Sequence, residues 1–130
     1  MNLLILTTLP HFIPLYYIFN DKLYFTIVLF SGTFSISWHY LCEPKNFVFV
    51  IDYLFGLIWS LYELGIVYIY LYEMFYVTIL LNLIVLSNNI LMDHISRNNL
   101  VSYKYAHSIF HITSSLKTIY IAYKVSKHIN

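Results

Sequence analysis

Apolar positions fall into five blocks, roughly 3–19, 23–41, 47–72, 74–92 and 101–123, separated by short polar breaks. About 20 consecutive apolar residues make an α-helix long enough to cross a hydrocarbon core. The pattern therefore predicts an all-α chain: a polytopic transmembrane helix bundle of about five spans, with residues 1–130 forming a single integral membrane domain. The breaks carry helix-end signals. Asn20-Asp21-Lys22 is a polar turn before the second block. Pro44 disfavours helix at the residue before it, so Glu43 marks a boundary. Pro10 and Pro14 predict a kink in the first block. A signal peptide is the rival reading there. Against it, no basic residue precedes the apolar run and no small-residue cleavage site follows.

Polar residues inside the blocks are not scattered. Ser31, Ser35 and His39 recur every four residues, one stripe on one helix face. Small residues on such a stripe let helices approach closely in a bilayer, which accounts for the serines but not for the histidine. Asp52 lies in the first two turns of the third block, and Glu63 follows on the same face. A glutamate near mid-membrane is expected to be neutral or paired. In the fifth block, His107 and His111 are one helical turn apart. That spacing lets both imidazoles reach one metal ion; two neutral histidines bonded to neighbouring helices is the plainer alternative. Lys117 is expected to snorkel to the interface. His11 and His94 are not expected to be ligands.

Counting crossings brings these residues together. His39 leaves block two and Asp52 enters block three through a single turn, so both lie near one membrane face. Block four crosses back, and block five re-enters from that same face with His107 and His111 in its first half. Three histidines and a water form a familiar catalytic zinc set. The metal activates its water, which Asp52 would hold or deprotonate, unless Asp52 orients an imidazole instead. Ser35 would donate to that water or to a developing oxyanion. A buried site opening towards lipid suits a lipid amide or ester.

Composition agrees. The chain is 60% hydrophobic and 10% charged, against about 25% charged in soluble domains. A net charge of +1 argues against nucleic acid as a partner. The single cysteine, Cys42, excludes an intramolecular disulfide and a CxxC metal site. There is no phosphate-binding glycine loop and no G-x-S-x-G elbow. Lys45, Arg97 and Lys104 fall on one side and Lys22, Lys117, Lys124 and Lys127 on the other, a balance that sets no orientation.

The order Ser35-x-x-x-His39, Asp52, His107-x-x-x-His111 resembles the CREST superfamily of membrane hydrolases. That group includes alkaline ceramidases, progestin and adipoQ receptors, haemolysin III-like proteins and Per-type lipid-remodelling proteins. The local text around His39 and His107 looks most like the myomaker-type branch. The resemblance covers roughly residues 31–115 and rests on five residues. It implies Zn2+ held by His39, His107 and His111, with supporting roles for Ser35 and Asp52. Family members usually have seven spans, with three helices between the Asp helix and the HxxxH helix; one is placed here. Losing two preserves parity, so the metal site survives, while the lipid pocket is reduced or completed by a second copy in a homo-oligomer. The leading expectation is thus a zinc-dependent intramembrane hydrolase with a membrane lipid as substrate. The alternatives are a non-catalytic membrane protein with a structural or binding metal site, and a bis-histidine haem protein.

Overall fold

Every regular element is helical among residues 3–41, 43, 46–96 and 100–129, which a computed structural model of the chain describes. The order is α1 (Leu3–Thr8), a 3-10 segment (Leu9–Tyr16), α2 (Lys22–Tyr40), α3 (Phe47–Tyr70), a short 3-10 turn (Tyr72–Met74), α4 (Phe75–Ser96) and α5 (Leu100–Ile129). Two stretches, Phe47–Tyr70 and Tyr72–Leu91, are long and apolar enough to cross a membrane. Their outward positions expose Leu61, Leu80 and Leu83.

The ends follow local chemistry. Asp21 caps α2 by accepting from the Tyr24 backbone N–H at 3.0 Å, and Asn46 caps α3 by accepting from that of Val48 at 3.0 Å. The first block is tighter than a kinked α-helix: after six α residues it continues as a 3-10 segment containing Pro10 and Pro14. Proline has no N–H and its ring crowds the preceding turn. The polar stretch before the fifth block falls partly outside the described residues. Where description resumes, α5 starts at Leu100 and runs to Ile129, well past the expected end at residue 123. At 1.5 Å per residue, its 30 residues extend about 45 Å.

Helix α5 is the hub. His107, His111, Ser115, Thr118, Ala122 and Val125 are buried along it, a three-and-four spacing that keeps one face inward. The first block packs against it through Leu4, Thr8, His11, Pro14 and Ile18, all buried at similar spacing. An apolar core lies where α2 begins and α3 and α5 end, built from residues such as Tyr24, Val28, Val67, Ile121 and Val125. The histidines lie towards the other end, in the last turn of α2 and the first half of α5.

Gly32 lets α2 approach the 3-10 segment. A β-carbon there would meet the Phe12 ring at 2.8 Å. Gly32→Leu is expected to force Phe12 out and to cost about 1–3 kcal/mol by overpacking. The measure is the thermal midpoint of detergent-purified protein. An unchanged midpoint would show that the contact is not tight.

Candidate metal centre

His39 lies in the last turn of α2, and His107 and His111 lie in the first half of α5. All three are buried, and their ligand nitrogens lie within 4.8 Å of one another. His39 Nε2 and His111 Nε2 face each other at 2.8 Å. The His107 and His111 rings stack one turn apart, with centroids at 4.6 Å and planes at 19°. Trp38 packs beside His39 and His107.

The donor set suits a cation. With Zn–N bonds near 2.0–2.1 Å, ligand nitrogens on one ion lie about 3–4 Å apart. The separations here bracket that range. Nδ1 of His39 and of His107 are both committed to protein partners, described below, which leaves each Nε2 for a ligand. His111 Nδ1 is buried with no hydrogen-bond partner among the described residues. Two imidazole nitrogens facing each other, with a third close by, form an all-nitrogen set that could hold a metal ion.

Asp52 and Ser35 line the cavity beside the histidines. The Asp52 carboxylate faces Ser35 and His39. The cavity has a volume of about 560 Å³ and runs between α2, α3, α4 and α5. Apolar side chains, among them Leu54, Leu57, Val85, Leu86 and Phe110, line much of it. The lining is thus largely apolar, with His107, His111, Asp52 and Ser35 forming one polar group in it and Asn82, Asn89 and Lys117 others.

Three features depart from expectation. First, Glu43 does more than mark a helix boundary. His39 Nδ1–H donates to Glu43 Oε1 at 3.1 Å. The Tyr103 hydroxyl donates to Glu43 Oε2 at 2.7 Å and accepts from His107 Nδ1–H at 2.7 Å. Partial burial pushes the Glu43 carboxyl up, but these hydrogen bonds outweigh it and hold the group below the usual carboxylate range. The orienting role open to Asp52 is therefore filled by Glu43 and Tyr103.

Second, His11, which was not expected to be a ligand, is buried against this site. Its ring meets those of His111 and Trp59 edge-on, each at 5.4 Å. Its Nδ1 contacts the Thr8 carbonyl and Ser115 Oγ, both at 3.0 Å. The legible signal was the spacing of Leu4, Thr8, His11 and Pro14 on one helical stripe. His94 is exposed, as expected.

Third, Lys117 does not snorkel. Its ammonium is buried and pairs with Glu63 Oε2 at 2.6 Å, while donating to Asn82 Oδ1 at 2.9 Å. Glu63 is paired as predicted. Burial also removes Lys117 from the loop charges that bear on orientation.

Comparisons with protein families, with curated proteins and with solved structures return no match.

Proposed function

We propose that this chain is a multi-pass membrane protein of the CREST type, and that it is a zinc-dependent hydrolase of a lipid amide or ester. The observation that carries the reading is the His39–His107–His111 cluster, set beside Asp52 and Ser35 on the wall of a largely apolar cavity. The distribution of polarity supports the membrane setting. Leucines face outward on α3 and α4, while Glu63, Lys117 and the three histidines are buried, an arrangement suited to a hydrocarbon solvent. The five-helix order supports a bundle of about five crossings.

A zinc ion held by the three imidazoles would supply a Lewis acid that polarises a carbonyl and acidifies water. Asp52 takes a proton from the attacking water as its oxygen bonds to the carbonyl carbon. Ser35 donates to the oxygen that becomes negative. The carbon–nitrogen or carbon–oxygen bond then breaks, and Asp52 returns the proton to the leaving group. The apolar arm of the cavity holds the acyl chain.

One observation favours a second reading. All three ligands come from α2 and α5 alone, so zinc would also serve as a staple between these helices without turnover. In that case Ser35→Ala leaves function untouched. The haem alternative fits poorly, since ring centroids 4.6–4.9 Å apart leave no slab for a macrocycle.

Metal analysis of detergent-purified protein is the test. The wild-type chain is expected to carry one zinc per chain, and His107→Ala to lose it. A His107→Ala variant that retains stoichiometric zinc would sink the assignment.

A further inference from the structure

One carboxylate connects two of the three candidate ligands, although they come from different helices. We infer that Glu43 is the positioning residue of the metal centre: its two oxygens fix His39 directly and His107 through Tyr103, so that both rings present Nε2 together. The inference rests on the metal-site reading above.

A neutral imidazole has one protonated and one free nitrogen, and the partner of the first decides which is free. An ionised carboxylate only accepts hydrogen bonds. Glu43 Oε1 at 3.1 Å from His39 Nδ1 therefore calls for a proton on that nitrogen. Glu43 Oε2 takes the Tyr103 hydroxyl proton at 2.7 Å. With its proton committed, the tyrosine oxygen accepts at 2.7 Å from His107 Nδ1, which must then carry the second proton. Both Nε2 atoms are left with lone pairs. Outer partners of this kind raise ligand basicity and hold ring orientation.

The backbone at Glu43 is consistent with a residue kept for its side chain. Its φ is 59°, in the left-handed region, which is unfavourable for a non-glycine residue. Glycine or asparagine would relieve that cost at a helix end. The Glu43 N–H donates to the Trp38 carbonyl at 2.9 Å, and the Trp38 ring lies against His39 and His107. The turn that ends α2 thus aims the carboxylate at the site.

Zinc titration of the full chain in detergent, against a chromophoric chelator, tests the arrangement. Glu43→Ala is expected to weaken zinc affinity about 10–100-fold. Tyr103→Phe, which removes one oxygen and only the His107 arm, should weaken it less. The double variant should be no weaker than Glu43→Ala, because Tyr103 acts through Glu43. Glu43→Asp should recover part of the loss. Two readouts separate positioning from general destabilisation: the thermal midpoint of the metal-free protein, expected to hold, and the visible spectrum of the cobalt-loaded protein, expected to change. Wild-type affinity in both Glu43→Ala and Tyr103→Phe would overturn the inference and leave the metal site standing. A wild-type chain that takes up no zinc would overturn both.

Discussion

Lys117→Met is expected to destabilise the protein by about 3–5 kcal/mol, because it strands a buried carboxylate. Glu63 has no solvent-exposed surface. Its Oε1 accepts from Tyr24 OH at 2.8 Å and from Trp59 Nε1 at 2.9 Å. Its Oε2 has only Lys117, held as an ion pair and not as an aligned hydrogen bond. Removing the ammonium leaves that oxygen uncompensated and costs Asn82 Oδ1 its donor as well. The pair joins α3 to α5, with Tyr24 bringing in α2 and Asn82 bringing in α4, so the damage spreads across four helices. Glu63→Gln combined with Lys117→Met removes both charges and should recover much of the loss, since a neutral pair carries far less desolvation cost. Denaturant or thermal midpoints of the two single variants and the double in one detergent form the cycle. Additive losses would show that the ion pair contributes nothing as a pair.

Asp52→Asn should lower turnover of a lipid amide by about 10²–10⁴-fold, the usual contribution of a positioned acid–base group, while zinc content stays at one per chain. The geometry separates two roles that the residue order left open. His39 Nδ1 and His107 Nδ1 are already held by Glu43 and Tyr103. Asp52 instead sits with Ser35 on the cavity wall, where a substrate carbonyl and a water would meet. An Asp52→Asn variant that loses its zinc would return the residue to a ligand-positioning role and remove the proton-transfer step. Ser35→Ala should reduce turnover by about 10²–10³-fold if it donates to the oxyanion. Full activity in Ser35→Ala, with zinc present, would favour the metal as a staple.

Much of the architecture was legible because its causes are local. The apolar blocks and the polar turn at Asn20-Asp21-Lys22 act within a turn or two of their own position. The approach of His39, His107 and His111 was legible as well, because short connections between successive helices leave few alternatives. The first block was partly misjudged. Its prolines were visible, but the switch to a 3-10 segment that packs His11 against His111 depends on contacts with α2 and α5.

By itself, the order of residues determined an all-helical chain with an apolar exterior and three histidines drawn together. Tertiary structure alone decided the long-range partners of the buried polar side chains. Tyr24 finds Glu63 across 39 positions, Tyr103 finds Glu43 across 60 and Ser115 finds His11 across 104. Such pairings carry no periodic signal. They form because a buried donor or acceptor without a partner costs about 1–3 kcal/mol, and packed helices select the partners that remove that cost. The same rule turned Lys117 inward to Glu63 and gave Glu43 its place beside two of the three histidines.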